Sequence, residues 1–127
     1  MQRLKITTTS IKSTRAKQAR EAIYTYLEQN LSKYGLVTKE YRFHPIRKWQ
    51  ADWALLRLHN GDDCNILVEF EGGVFTQGGH TRGVGYSQNC EKYNQAAILG
   101  YKVLRYTVKT YTDITKDLKQ IFEMEEL

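Results

Sequence analysis

Two apolar runs around a tight turn, in "ADWALLRLHNGDDCNILVEFEGG" (residues 51 to 73), constrain this chain more than any other stretch. Asn60-Gly61 is a dipeptide that reverses a strand cheaply, because glycine accepts the positive φ of a hairpin turn. "KWQADWALLRLH" and "CNILVEFE" therefore read as the two strands of a hairpin. A turn centred between residues 59 and 63 sets Asp52 opposite about position 70, flanked by Glu69 and Glu71. Alternation puts Leu67, Glu69 and Glu71 on one face and Ile66, Val68 and Phe70 on the other, which reads as the core face. Three carboxylates then converge across one strand pair. Carboxylates this close repel in a partly buried site unless a proton or cation lies between them, and a divalent metal fits best. The plainer alternative is a row of acids on the solvent face of an antiparallel sheet.

Glycine and proline punctuate the rest of the chain. From Ser13, a plausible N-cap, "TRAKQAREAIYTYLEQNLSKYG" places Ala16, Ala19, Ile23, Tyr26 or Leu27, and Asn30 or Leu31 at helical spacing, with Gly35 as the stop. "LVTKEYRFH" reads as a strand ended by Pro45. After the glycine-rich "EGGVFTQGGHTRGVG", the segment "YSQNCEKYNQAAIL" reads as a helix with Tyr86, Cys90, Tyr93 and Ala97 on its inward stripe and Gly100 as its end. "YKVLRYTV" is an apolar strand, and "YTDITKDLKQIFEMEEL" is a closing amphipathic helix with Ile114, Leu118, Ile121 and Phe122 facing inward. The opening "RLKITTTSI" fits either a short strand or an ordered arm and is left unassigned. The expected order is αβββαβα.

With 127 residues, 41% hydrophobic and 26% charged, the chain has the size and composition of one globular domain spanning 1–127. No apolar run approaches the roughly 20 residues that cross a bilayer, and the opening lacks the apolar segment of a signal peptide, so the expectation is a soluble, cytoplasmic protein with no membrane partner. Cys64 and Cys90 lack zinc-ligand spacing and read as reduced packing residues. Lys and Arg outnumber Asp and Glu by 19 to 14, a balance that favours polyanionic partners. The basic residues concentrate mildly at Lys12, Arg15, Lys17 and Arg20, and again at Arg42, Arg47 and Lys48, where a solvated face is the plain reading.

The segments "RKWQADWALL", "ILVEFEGGVF" and "GGHTRGVGYSQNCEKYNQAAILGYKVLRYT", over roughly residues 42 to 107, together resemble the PD-(D/E)XK nuclease superfamily. Within it they are similar to small phage or bacterial endonucleases of the very-short-patch-repair group. The resemblance implies a restriction-endonuclease-like α/β (α+β) fold, with an αβββαβ core, a central mixed sheet flanked by helices, and here a further C-terminal helix. It also implies a metal-dependent DNA endonuclease serving phage DNA processing, recombination or repair. Asp52 looks like the aspartate of the PD half and Glu69 like the acid of the (D/E)XK half, both ligands of Mg²⁺, with Mn²⁺ as a substitute. A water on that ion would be the nucleophile.

The chain departs from the pattern at two positions: Glu71 stands where the lysine is usual, and Ala51 rather than proline precedes Asp52. Glu71 could complete the metal shell or take a proton from water, but it cannot supply the positive charge that lysine gives the transition state. Lys92 on the second helix is the first candidate for that charge, since members of the superfamily recruit a lysine from that helix, and His80 and Arg82 in the loop are the others. His80 looks like the loop histidine of the very-short-patch group, which orients water or contacts phosphate. Arg47, Lys48 and the basic first helix would hold DNA through its phosphates. His44, Trp49 and Phe75 read as structural residues. Two other classes stay open: a catalytically inactive nucleic-acid-binding module on a nuclease fold, and a protein-interaction or inhibitory factor. A monomer would nick one strand, whereas a homodimer could cut both.

Overall fold

A computed structural model describes residues 8–72 and 84–123 of the chain. In order, it contains α1 (Thr8–Ser32), β1 (Gly35–Arg42), β2 (Gln50–Leu58), β3 (Asp63–Phe70), α2 (Val84–Ile98), β4 (Lys102–Tyr106), a 3-10 turn (Tyr111–Asp113) and α3 (Ile114–Phe122). The four strands form one mixed sheet in the order β1-β2-β3-β4. The first three are antiparallel neighbours, and β4 joins β3 in parallel. A parallel neighbour needs a long crossover, and α2 lies in it. The expected αβββαβα order is therefore present, as an α+β domain.

The hairpin turns where the Asn-Gly dipeptide stands. Gly61 has φ +96°, Leu58 N–H donates to Asp62 O at 2.8 Å, and the Asn60 side chain takes the Asp62 N–H at 2.9 Å. Trp53 faces Val68 and Ala54 faces Leu67, so Asp52 falls opposite Glu69, one position away from the expected 70. The slip comes from the turn itself, which centres on residue 60, with Arg57 opposite Asp63; the register shift between Leu55 and Arg57 recovers one of the two positions this would cost. At the start of β1, a Cβ on Gly35 would lie 2.2 Å from the Arg57 carbonyl oxygen, so only glycine allows the two strands this approach.

Both faces of the sheet are covered, not one. Trp53, Leu55, Ile66 and Val68 pack with Ile23, Leu27 and Leu31 of α1 and Ile114 and Leu118 of α3. Full burial of each such side chain contributes about 1.5–3 kcal/mol. On the opposite face Ala54 and Leu67 meet Ala96 of α2, with Phe43 and Ala51 beside them. The buried Asn30 is satisfied: its amide donates to Tyr26 O at 2.9 Å, and its oxygen accepts from Thr115 of α3 at 3.2 Å.

Two helices differ from expectation. α1 already runs at Thr8, ahead of the Ser13 cap, and takes in the end of the unassigned opening; Ala16 and Ala19 are exposed, so its inward stripe begins at Ile23. α2 does end at Gly100, where Tyr101 N–H reaches Ala96 O and Gly100 N–H reaches Ala97 O, both at 3.0 Å, the two bonds of a Schellman motif. Its inward residue is Ala96, however, while Tyr86, Cys90 and Ala97 are exposed. Among the described residues, no helix is long and apolar enough to cross a membrane.

Candidate functional site

The acids gather where the hairpin opens at its strand ends. Asp52 is the third residue of β2, and its Oδ2 accepts the Phe70 N–H at 2.8 Å, which fixes the carboxylate across the strand gap. Glu69 sits on the same face, and its parallel partner in β4 is Arg105. One step beyond the strand, Glu71 N–H donates to Tyr106 O at 2.7 Å, so the β3–β4 ladder carries Glu71 onto that face as well. α2 crosses above and contributes Asn89, Lys92 and Tyr93. Together with Gln50, Tyr86 and Cys90, these side chains line a cavity of about 580 Å³.

Each glutamate has a protein cation. Glu69, only 7% exposed, pairs with Lys92 through Oε1 and accepts the Tyr93 hydroxyl on Oε2. Glu71 pairs with Arg105, whose guanidinium lies 4.1 Å over the Tyr93 ring. Tyr93 thus touches all three, with its hydroxyl also 3.4 Å from Glu71. Burial, and then the bond to Glu69, push the Tyr93 phenol well above its usual range, so at neutral pH it is a donor. Burial also raises the Asp52 carboxyl; the Phe70 N–H opposes this, Glu69 adds to it, Lys92 opposes it and Glu40 adds to it. For Arg105 burial acts downward, but the bond to Glu71 and the surrounding negative charge outweigh it and raise the guanidinium.

The donors around the cavity are carboxylate oxygens, of which both of Glu69 are engaged by Lys92 and Tyr93 and Glu71 is committed to Arg105. Among the described residues no three His, Cys, Asp or Glu side chains come close enough to hold a metal by themselves. Two carboxylates are nonetheless the usual protein share of a magnesium site, where waters and phosphate oxygens supply the rest. A cation beside Asp52 would relieve the cost of its buried charge. An ion held by Asp52 and Glu69 would have to share Glu69 with Lys92 and Tyr93.

The sequence-derived candidates fare unequally. Asp52, Glu69, Glu71 and Lys92 come together in one cavity. His80, Arg82, Phe75 and the glycine-rich loop lie outside the described residues. Arg47 pairs with Glu91 of α2 at 2.9 Å and lies 4.2 Å over Trp49, while Lys48 is exposed beside it. His44 is structural as expected: its Nδ1 accepts the N–H groups of Ile46 and Arg47 at 3.1 and 2.9 Å and so shapes the β1–β2 loop. Of the cysteines, Cys64 is half-buried with its thiol on Leu55 O at 2.9 Å, but Cys90 is exposed on the cavity wall rather than packed. Sequence reasoning missed Arg105 and the polar role of Tyr93. Arg105 stands at the parallel position of Glu69, a pairing that no local sequence pattern encodes.

Comparison of the chain with family models, with curated proteins and with solved structures returned no match.

Proposed function

We propose that the protein is a magnesium-dependent endodeoxyribonuclease of the PD-(D/E)XK type, with DNA as its partner and the cytoplasm as its compartment. One observation carries the reading: Lys92 reaches from α2 to Glu69, beside Asp52, and so brings a cation to the place where the strand offers Glu71 instead of lysine. The mixed β1-β2-β3-β4 sheet and the helix in the β3–β4 crossover support it.

In this reading Asp52 and Glu69 would hold the ion, Glu69 while sharing its oxygens with Lys92 and Tyr93. When bound, magnesium would lower the pKa of a water and offset charge on the phosphoryl oxygens. Tyr93, kept protonated, fixes one Glu69 oxygen and leaves the carboxylate a single orientation. Lys92 lies close enough to share itself between Glu69 and a phosphate entering the cavity, where a cation stabilises the extra negative charge of the transition state. Arg105, about half exposed and held by Glu71, offers a second positive group on the same wall. Glu71 then acts as the anchor of Arg105 more than as a third metal ligand.

The test is cleavage of labelled linear, nicked, single-stranded and four-way-junction DNA with Mg²⁺, Mn²⁺ or EDTA. Metal-dependent cutting should appear in the wild type and fall about 10³-fold or more in Asp52→Asn and Glu69→Gln, with DNA binding retained. A second reading, an inactive nucleic-acid-binding module, is favoured by the way both glutamates are already neutralised by Lys92 and Arg105. Wild-type protein that binds DNA and never cuts it with either metal would establish that reading instead.

A further inference from the structure

The first helix is two different objects. From Ile23 onward it is a core element, with Ile23, Leu27 and Leu31 buried against the sheet. Every residue from 15 to 22 is exposed, and among the described residues none of Arg15, Lys17 and Arg20 has an ion-pair partner. The stretch "RAKQAREA" consists wholly of strong helix formers, so it continues the turn nucleated by the packed half without burying a residue of its own.

Two observations point to what this stretch binds. The first is the distribution of charge. Six of the 19 basic residues and none of the 14 acidic ones fall within the first 20 positions, which leaves 13 basic against 14 acidic in residues 21–127. The whole positive excess of the protein resides in those first 20 positions, and the exposed stretch 15–22 carries three of their cations, Arg15, Lys17 and Arg20, beside one acid, Glu21. The second is direction. Tyr24 packs edge-on against Trp53 and Phe70, beside Asp52 and Glu69, whereas Ser32 O is met by His59 at the hairpin end. Running backwards from Tyr24, α1 therefore projects past the end of the sheet that carries the acids. The 15 residues of Thr8 to Ala22 extend about 20 Å at helical rise.

We infer that the exposed stretch of α1 at residues 15–22 is a DNA-binding arm that lies in a groove of duplex DNA and supplies most of the affinity for it. Arg15, Lys17 and Arg20 spread over about 200° of the helix circumference at 100° per residue, which suits phosphates on both walls of a groove better than a flat surface. A lipid surface fits poorly, because the only apolar residues from 15 to 22 are three alanines and no apolar face exists to enter the bilayer. The choice of DNA among nucleic acids rests on the endonuclease reading above.

Binding of a labelled 30-bp duplex, measured in EDTA between 50 and 200 mM salt, tests the arm. Arg15→Gln/Lys17→Gln/Arg20→Gln is compared with Lys33→Gln/Lys116→Gln/Lys119→Gln, which removes the same charge from exposed sites on the body. All six positions are exposed, so both variants should keep the wild-type circular dichroism and melting temperature. The arm variant should lose about 2–3 units of the log–log salt slope and at least about tenfold in affinity at 100 mM salt, while the body variant stays within about twofold of wild type. Equal losses in the two variants, or an unchanged arm variant, overturn the inference. So does a wild type that ignores the duplex while the arm variant alone loses duplex-RNA binding, anionic-vesicle binding or self-association. Metal-dependent cutting by a protein whose arm variant binds normally removes the arm and leaves the endonuclease reading; arm-dependent binding with no cutting removes the endonuclease reading and leaves the arm.

Discussion

The two faces of the sheet use the same strands for opposite purposes. Residues Ile66 and Val68 point into a closed apolar layer under α1 and α3, whereas Glu69 and Glu71, on the alternate side, point into a cavity under α2. The first face is built from residues that need nothing but exclusion of water. The second has a small apolar floor of Ala54, Leu67 and Ala96 and then a set of charges that must satisfy one another. Apolar burial is concentrated on one side and paired charge on the other, so substitutions should separate the two.

The largest effect on folding should come from the closed face. Leu27→Ala removes a fully buried side chain wedged against the sheet and is expected to cost about 3–5 kcal/mol in urea unfolding. A cost below 1 kcal/mol would mean that the layer collapses around the gap and is not the rigid half of the comparison. On the open face, Lys92→Met leaves Glu69 buried without its cation, and because Lys92 keeps 17% of its side chain in contact with water, a loss of about 2–3 kcal/mol is expected. Adding Glu69→Gln should restore most of it. If the single variant is as stable as wild type, the ion pair contributes nothing to the fold and the division between faces is sharper still.

The smallest effect is one of pH. Burial raises the folded-state carboxyl of Asp52 above its ordinary 3.8, so the protonated form is the one favoured by folding. Its contribution is fully present below pH 3.8 and is lost as the pH climbs through the raised value. Asp52→Asn should therefore match the wild type in acid and exceed it at pH 7, which unfolding midpoints across that range would reveal. A variant less stable than wild type at neutral pH would show that the Phe70 N–H and Lys92 outweigh burial.

How far the sequence revealed these faces depends on what marked them. The hairpin, the helix end at Gly100 and the inward residues Ile114 and Leu118 are local or periodic signals, and they reappear in place. α2 was misread because its inner face, Asn89, Lys92, Tyr93 and Ala96 at the spacing i, i+3, i+4, i+7, is mostly polar. Apolar periodicity has only Tyr93 and Ala96 to count on such a stripe, so it selects Tyr93 correctly but joins it to the exposed Tyr86, Cys90 and Ala97. Asp52 and Glu69 were visible as acids out of place among apolar neighbours. Arg105 was not, because it meets Glu71 across 34 positions of chain, through a parallel pairing that no local pattern encodes.

The divided first helix has a consequence for handling the molecule. Arg15, Lys17 and Arg20 stand exposed on a helix whose buried residues begin, among those described, at Ile23, so trypsin can cut there without disturbing the core. Loss of the first 20 residues would take the formal charge from +5 to −1, with 13 basic and 14 acidic side chains left. A single nick would turn a protein that a cation exchanger retains at neutral pH into one that it lets pass.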